Sequence, residues 1–348
     1  MITKIEKKIR ARAPLRLGLA GGGTDLSPYC DTHGGAVLNV TIDRYAFATI
    51  LPNPDGKIVF CADDIGSQEV FDLDDPLDTG ELVLHRGVYD RMIRDFNGGI
   101  RVPMTVKSTV DAPAGSGLGS SSALVVALVD AFREVLRAPL GLYDVAHLAF
   151  EIERIDLGLA GGRQDQYAAT FGGINFIEFL PADRVVVNPL RIHDAVHHEF
   201  ESSLVVCFSG RSRQSAEIIQ RQTDGMSGSG SVKTIEAMHR LKADAQAMKR
   251  ALLAGDIGEM ATILNQSWLT KKETAQGISN SRIDEFLDVA FAAGATGGKI
   301  SGAGGGGFMF FTVDPEHRYG LIEKLNTAGG VASTVKFTDV GCETWQFG

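Results

Sequence analysis

Hydrophobic periodicity divides the chain into a strand-rich first half and a helix-rich second half. Ala36 to Leu51 is rich in β-branched and aromatic residues, and apolar residues keep a period of two from Val102 to Val110. Both patterns predict strands. Apolar residues spaced by three and four from Ile235 to Leu252 predict a long amphipathic helix. We therefore expect an α+β protein.

Several shorter segments add elements to this outline. A run that is apolar on nearly every side, Ala123–Phe132, predicts a helix buried in a core. Aspartates at 256 and 314 have the pattern of helix N-caps. Other predicted elements are a helix over 144–156 with an apolar stripe that includes Ile155, and strands over 203–208, 307–313 and 331–338. The change from a strand-rich to a helix-rich pattern predicts two domains, 1–195 and 196–348.

Composition changes the picture mainly through glycine, which occurs 41 times in 348 residues and clusters in three places. The formal net charge of −9 argues against a nucleic-acid partner. The four cysteines show no metal-ligand or disulfide spacing, and no apolar run is long enough to cross a membrane. These features predict a cytoplasmic protein. The small, polar segment 224–231 predicts a loop, and a homodimer is neither required nor excluded by the sequence.

The second glycine cluster, residues 113–123, carries the clearest chemical signal. Gly115, Gly117 and Gly119 alternate with other residues, and three serines then open the buried helix. Glycines let backbone N–H groups converge, and a helix N-terminus adds partial positive charge, so this segment predicts a phosphate-binding loop. The alternative is a Gly/Ser-rich turn that only caps a core helix. No lysine follows as in a Walker A motif, and the G-x-G-x-x-G at 302–307 precedes a strand, unlike a Rossmann loop.

Pro113–Ala123 resembles the phosphate loop of the GHMP kinases. Ala13-Pro-Leu-Arg16 resembles their N-terminal motif, and the glycine-rich loop 299–307 resembles their C-terminal motif. Because the three motifs occur in the family's order, the resemblance extends over essentially the whole chain. It implies an N-terminal domain like domain 2 of ribosomal protein S5, a ferredoxin-like C-terminal domain, ATP as phosphoryl donor and Mg²⁺ as cofactor.

Within this family, Ala20–Asp25 resembles the corresponding segment of kinases that act on a heptose 7-phosphate, which are more distantly similar to the fucokinases. That resemblance implies phosphorylation of the anomeric hydroxyl of a sugar phosphate, on the way to nucleotide-activated heptose for surface polysaccharide. Two alternatives remain open. One is a fucokinase- or galactokinase-like enzyme of an unphosphorylated monosaccharide, and the other is a non-catalytic sensor of sugar and nucleotide.

The resemblance assigns roles to individual residues. Asp165 corresponds to the catalytic aspartate, as base or as orienting group, and Arg16 to the cation that supports it. Helical angles alone do not choose between Glu151 and Glu153 as a metal-binding carboxylate. The resemblance favours Glu153, with one extra residue between it and Asp165. The expected ATP-binding residues are Gly115, Ser116, Gly117, Leu118, Gly119, Ser120, Ser121 and Ser122, with Ser121 also a Mg²⁺ ligand.

The candidate acceptor-binding residues come from two sources, the glycine motifs and the cations in the second half of the chain. Thr24 and Asp25 are the best sugar contacts, because a fixed carboxylate can accept hydrogen bonds from two adjacent hydroxyls. Asp43 and Arg44 could add to them. A substrate phosphate requires cations, available at 211, 213, 271 and 272. The full predicted set is Gly22, Gly23, Thr24, Asp25, Arg213, Lys272, Gly304 and Gly305, and the loop at 302–307 is expected to pack against the other two loops.

Overall fold

The computed structural model describes residues 1–210, 215–226 and 231–348. Its strands are β1 (Lys8–Ala20), β2 (Gly35–Pro52), β3 (Ile58–Ala62), β4 (Ser67–Phe71), β5 (Met104–Val110), β6 (Ile174–Leu180), β7 (Arg184–Pro189), β8 (Leu204–Phe208), β9 (Ala295–Ile300), β10 (Phe308–Val313), β11 (Val331–Ser333) and β12 (Glu343–Phe347). Its α-helices are α1 (Tyr29–His33), α2 (Val83–Phe96), α3 (Ser120–Leu136), α4 (Leu142–Phe150), α5 (Gln164–Phe171), α6 (Asp194–Ser203), α7 (Ser215–Gly225), α8 (Ser231–Ala254), α9 (Ile257–Lys272), α10 (Ser281–Ala292) and α11 (Arg318–Thr327). A π-helix covers Glu151–Asp156, and a 3₁₀ turn covers Pro315–His317.

The central strand of the first sheet is β2, which is long enough to pair with two different strands along one edge. β1 pairs with β2 on the other edge, while β6 pairs with the first part of β2 and β5 with its second part. The strand order is β12-β1-β2-β5-β3-β4, with β7 beside β6. Because the 18 residues of β2 span about 60 Å, its first part can pair with β6 and its second part with β5.

The second sheet, β11-β8-β10-β9, is antiparallel and separates two apolar layers. Val206 and Phe310 belong to the core that is shared with the first sheet, whereas Val205 and Phe311 pack in a separate core with α10 and α11. Successive side chains of a strand point to opposite faces, so the continuous apolar run of β10 is explained by burial on both sides. The two sheets with their helices form the expected α+β, two-domain fold.

Helix α3 lies inside the first core and packs on β1 and β2. Every residue from Ser122 to Phe132 is buried, which confirms the prediction of a core helix. A helix fixed in this way holds its N-terminus at Ser120 in a constant position. In the part of the chain that the structure describes, no helix combines the length and the apolarity needed to cross a bilayer.

The end of the chain differs from the sequence prediction. The expected strand over 331–338 ends at Ser333, after which the backbone leaves the second sheet and hydrogen-bonds the first. Asp43 N donates to Lys336 O at 2.9 Å and Thr338 N donates to Thr41 O at 3.1 Å. A further strand, β12, then pairs with residues 8–12 of β1. The chain therefore returns to the first sheet after completing the second, and the domain division at 195/196 stays a prediction.

Candidate active site

The predicted phosphate loop connects β5 to α3 and is shaped by left-handed glycines. Gly115, Gly117 and Gly119 have φ values of 69°, 83° and 76°, which other residues rarely adopt. Gly119 immediately precedes the first turn of α3, so the unpaired N–H groups of that turn face the end of the loop. Backbone N–H groups and the helix dipole together form a site suited to an anion.

The C-terminal glycine loop packs directly against the phosphate loop. Phe308 N donates to Ser116 O at 2.7 Å, and Ser301 Oγ donates to Gly117 O at 2.9 Å. A Cβ atom on Gly302 would lie 2.7 Å from Gly117 Cα, so the two loops can approach this closely only without a side chain there. The predicted contact between these two loops is confirmed.

Arg16 connects the phosphate loop to Asp165. Its Nε and Nη2 lie 2.8 and 2.7 Å from Asp165 Oδ1, and its Nη1 donates to Gly117 O at 2.6 Å. Arg16 is buried, whereas the Asp165 side chain keeps 20% of its surface exposed. Asp165 Oδ2 accepts no hydrogen bond from the described residues. The guanidinium therefore fixes one carboxylate oxygen and leaves the other available to a ligand.

Glu153 is the carboxylate that reaches the serines at the start of α3. It is fully buried and accepts hydrogen bonds from Ser121 Oγ at 2.8 Å, Ser122 Oγ at 2.7 Å and Gln166 Nε2 at 2.7 Å. Glu151 instead pairs with Arg91 near the surface at 2.6 Å. Of the two glutamates that helical angles could not separate, the structure brings Glu153 to the phosphate loop.

The π-helix explains why regular helical angles could not distinguish Glu151 from Glu153. Residues 151–156 continue α4 with a wider turn, which shifts the direction of each following side chain. Glu153 consequently turns inward, and Ile155, predicted on the buried stripe, is 64% exposed. The extra residue inferred between Glu153 and Asp165 coincides with this widened segment. The prediction for Ile155 was wrong because it assumed 3.6 residues per turn.

The acceptor-binding candidates in the first glycine loop form hydrogen bonds within the protein. Thr24 is fully buried, and its hydroxyl bonds to Gly21 O and Ala36 O at 2.8 and 2.9 Å. Asp25 accepts hydrogen bonds from the backbone N–H of Arg163 and Gln164 at 3.0 and 3.1 Å, and so holds the start of α5 beside Asp165. Their contact with a sugar stays a prediction.

A cavity of about 70 Å³ lies beside Asp165, at the junction of the two domains. Gly23 and Asp25 line it on one side, and Gly302 lines it on the other. Gly22 lies next to Lys271, since a Cβ atom on Gly22 would be 3.7 Å from Lys271 Nζ. A second cavity of about 640 Å³ continues outward and shares several lining residues with the first: Asp25, Leu26, Arg154, Gly161 and Ile219.

Other predicted acceptor residues lie elsewhere. Gly304 and Gly305 contact the segment between α9 and α10, where Gly305 N donates to Ile278 O at 2.8 Å. Lys272 is exposed, with Nζ 5.7 Å from the centre of the Trp268 ring. Asp43 and Arg44 contact the C-terminal segment at Lys336 and Ser333. The remaining cations, Arg211 and Arg213, lie outside the described residues, as does part of the predicted loop 224–231.

Lys271, rather than its neighbour, is the lysine at the small cavity. It is buried, and its Nζ donates to Gly302 O at 2.7 Å. Burial lowers the pKa of Lys271 to about 8; Asp25 and Asp165 oppose this shift, and Arg16 adds to it. Burial and the nearby Lys271 also lower the pKa of Lys299 to about 7. The sequence offered cations at both 271 and 272, and the predicted set named Lys272, whereas the structure brings Lys271 to the cavity.

An apolar cavity of about 680 Å³ lies on the outer side of the phosphate loop, next to Ser120 and Ser121. His85 and Ser108 lie in its wall and bond to each other, with His85 Nε2 2.9 Å from Ser108 Oγ. Burial lowers the pKa of His85 to about 4, so its ring is neutral at physiological pH. A cavity of this size and polarity suits a flat heterocycle attached to a phosphate chain. The sequence contained no local motif for it.

Residues 83–173 match the family model described as GHMP kinases N terminal domain, and residues 248–331 match GHMP kinases C terminal. The chain belongs to the GHMP kinases. It is 44% identical to D-glycero-alpha-D-manno-heptose 7-phosphate kinase of Campylobacter jejuni, covering 98% of this chain and 99% of that protein.

Solved structures agree with this assignment. A D-glycero-D-manno-heptose 1-phosphate kinase from Bacteroides thetaiotaomicron is 42% identical, with a TM-score of 0.82 over 98% of this chain and 99% of that one. Galactokinase of Lactococcus lactis, in a complex with galactose, is 18% identical with a TM-score of 0.75, covering 98% and 95%. The latter likeness is one of fold alone.

Proposed function

We propose that this protein is an ATP-dependent kinase that phosphorylates the anomeric (C1) hydroxyl of D-glycero-D-manno-heptose 7-phosphate, forming the 1,7-bisphosphate. The observation that carries the chemistry is the Asp165 carboxylate beside the phosphate loop: Arg16 holds its Oδ1, and no other described residue donates a hydrogen bond to its Oδ2. The choice of acceptor rests on the identity of 44% to a heptose 7-phosphate kinase over nearly the whole chain.

Positioning and electrostatics supply most of the catalysis in phosphoryl transfer. The backbone of residues 115–119 and the N-terminus of α3 hold the phosphates, and the apolar cavity beside them receives the base. Asp165 Oδ2 accepts the hydrogen bond of the acceptor hydroxyl and aligns its oxygen with the γ-phosphorus. Arg16 keeps that carboxylate oriented, because the planar fork of its guanidinium holds Oδ1 through two nitrogens.

The residues around Glu153 suit a Mg²⁺ ion. Ser121 is exposed, and its hydroxyl and the Glu153 carboxylate supply hard oxygen ligands within 2.8 Å of each other. Mg²⁺ in kinase sites commonly takes one or two protein oxygens and completes its shell with phosphates and water. When bound, the ion would neutralise charge on the phosphates. Ser121 and Glu153 are the residues that would hold it.

The two connected cavities suit a phosphorylated sugar that enters with C1 foremost. The small cavity beside Asp165 receives the reacting end, and the larger one receives the remaining carbons. Arg154 and Arg163 line the larger cavity, and Arg154 also pairs with the buried Glu153 at 3.3 Å. Asp31 and Asp183 already pair with Arg163, so an entering phosphate would have to replace these carboxylates.

The acceptor is tested by measuring ADP release with Mg·ATP and a panel of heptose 7-phosphate, heptose, fucose, galactose, mannose and mevalonate. We expect turnover with heptose 7-phosphate and little with the others. Efficient turnover of a free monosaccharide would keep the kinase and reject the phosphorylated acceptor. Nucleotide binding without turnover of any sugar would favour a sensor.

The site is tested with Asp165→Asn and Ser121→Ala. Each variant should lose about 10²-fold or more in kcat, because each removes a group that acts directly on the reacting atoms or their metal. Thermal unfolding should show that both variants remain folded. Near wild-type turnover by both would reject the mechanism proposed here.

A further inference from the structure

Lys271 is a buried cation whose hydrogen-bonding capacity is mostly unused. It lies near the C-terminal end of α9 and is 4% exposed. An ammonium group has three N–H donors. Within the described ranges 1–210, 215–226 and 231–348, only Gly302 O accepts from it, and no carboxylate oxygen lies within 4 Å. Burying a charge without a partner is costly, so a retained cation of this kind calls for a ligand.

The carboxylates nearest to Lys271 are already used by other groups. Asp25 accepts four hydrogen bonds, from Gly23 N, Arg163 N, Gln164 N and Gln164 Nε2. Asp165 is held through Oδ1 by Arg16. Both carboxylates are close enough to raise the pKa of Lys271, but neither forms a direct ion pair with it. The two unused donors of Lys271 are therefore available to the small cavity that its side chain lines.

The position of Lys271 points to the reacting end of the acceptor. Lys271 bonds to Gly302 O, and Gly302 packs against Gly117 of the phosphate loop. On its other side, Lys271 Nζ lies next to Gly22 and faces the cavity that contains Asp165. Arg16, Arg154 and Lys271 line this cavity, where Arg16 pairs with Asp165 and Arg154 pairs with the buried Glu153 at 3.3 Å. Among these described cations, Lys271 is the one without an ion pair, and its ammonium suits an oxygen that gains negative charge.

We propose that Lys271 is a catalytic residue that donates hydrogen bonds to acceptor oxygens beside the hydroxyl being phosphorylated; this inference rests on the proposed kinase function. The hydroxyl oxygen forms its bond to the γ-phosphorus while the bond from that phosphorus to the β–γ bridging oxygen breaks, and that electron pair leaves with ADP. The hydroxyl proton passes to Asp165. Lys271 remains protonated, and from its hydrogen bonds to the neighbouring acceptor oxygens its charge stabilises the negative charge that develops on the attacking oxygen.

The experiment compares Lys271→Met, Lys271→Arg and, as a control, Lys324→Met, which changes an exposed lysine of α11. Full kinetics are measured with heptose 7-phosphate and ATP. For Lys271→Met we expect kcat to fall about 10²-fold while the KM of each substrate changes less than about threefold, because the lost interaction is strongest in the transition state. Lys271→Arg should recover part of kcat, and Lys324→Met should match the wild type.

Thermal unfolding of the ligand-free proteins separates catalysis from folding. Removing an unpaired buried ammonium should leave the Tm of Lys271→Met equal to or above that of the wild type. A lower Tm together with lost activity would overturn the proposal and make Lys271 a structural residue.

Three kinetic results would also overturn it. One is wild-type kcat in Lys271→Met. Another is a raised acceptor KM with kcat retained, which would place Lys271 at the distal phosphate instead. The last is a loss confined to a parallel Lys272→Met variant, which would restore the sequence prediction. If the wild type itself phosphorylates no acceptor, the proposed function fails and this inference fails with it. An active wild type with an equally active Lys271→Met rejects the inference alone.

Discussion

Arg16 and Arg12 form two ion pairs from one strand that differ in burial and in their further contacts: Arg16 also donates to Gly117 O, and Arg12 lies over the Tyr45 ring at 4.5 Å. In each, two guanidinium nitrogens contact one carboxylate oxygen, at 2.7 and 2.8 Å for Arg16 with Asp165 and at 2.6 and 2.7 Å for Arg12 with Glu343. The side chains are 5% and 20% exposed in the first pair and 34% and 38% in the second. The predicted effects of Arg16→Met and Arg12→Met differ for this reason.

Breaking a buried pair by removing one partner costs about 3–5 kcal/mol, whereas an exposed pair contributes less than about 1 kcal/mol. Because Asp165 keeps contact with the cavity, we place Arg16→Met near the lower limit, at about 3 kcal/mol of unfolding free energy. Arg12→Met should lose about 1–2 kcal/mol, because it also removes the contact with the Tyr45 ring. Arg16→Lys should lie between them, since an ammonium keeps the charge but cannot reproduce the planar fork.

Activity should follow the same order for a separate reason. Without Arg16, Asp165 loses its orientation and Gly117 O loses a donor, so kcat of Arg16→Met should fall at least about 10²-fold. The assays are urea unfolding and ADP release under conditions where each variant is folded. The reasoning is refuted if Arg16→Met and Arg12→Met show the same unfolding free energy, or if Arg16→Met retains kcat within threefold.

Three further outcomes are expected. Glu153→Gln replaces a buried carboxylate that accepts from three donors by an amide with only one acceptor oxygen. It should therefore raise the Mg²⁺ concentration needed for half-maximal activity. An unchanged Mg²⁺ titration would contradict the assignment of Glu153 as a metal ligand. For the ligand-free enzyme, kcat/KM should decline above the Lys271 pKa of about 8, and Lys271→Arg should move that decline to higher pH. The same pKa predicts how stability depends on pH. Between about pH 8 and the unfolded pKa near 10.4, Lys271 binds fewer protons in the folded state than in the unfolded state, so its contribution to the unfolding free energy rises with pH. If the unfolding free energy of the wild type minus that of Lys271→Met falls with pH in this range, the sign is wrong.

The sequence was sufficient where function depends on backbone shape. The positive φ values at Gly115, Gly117 and Gly119 and the close contact of Gly302 with Gly117 both require glycine, so the motifs carry their geometry with them. The sequence was insufficient where function depends on the direction of a side chain. Lys271 and Lys272 are adjacent on one helix, about 100° apart, and only packing shows which one is buried.

The last strand was missed for a different reason. Residues 343–347 are half-exposed and polar at most positions, so they lack the apolar pattern that marks a core strand. Their pairing with β1, which lies more than 300 positions earlier, is a tertiary property. Local periodicity cannot report a partner at that distance, and propensity for an edge strand depends on the neighbour it meets.

The π-helix sets the direction of the carboxylate that reaches the phosphate loop. π-helical turns are rare and often lie at functional sites, and deletion of Glu151 or Ile152 would remove the extra residue of this turn ahead of Glu153. The same deletion would rotate the following side chains by about 100° and turn a carboxylate away from Ser121. The widened turn therefore works as a one-residue phase shift in the helix: it selects which carboxylate of this segment meets the serines at the start of α3.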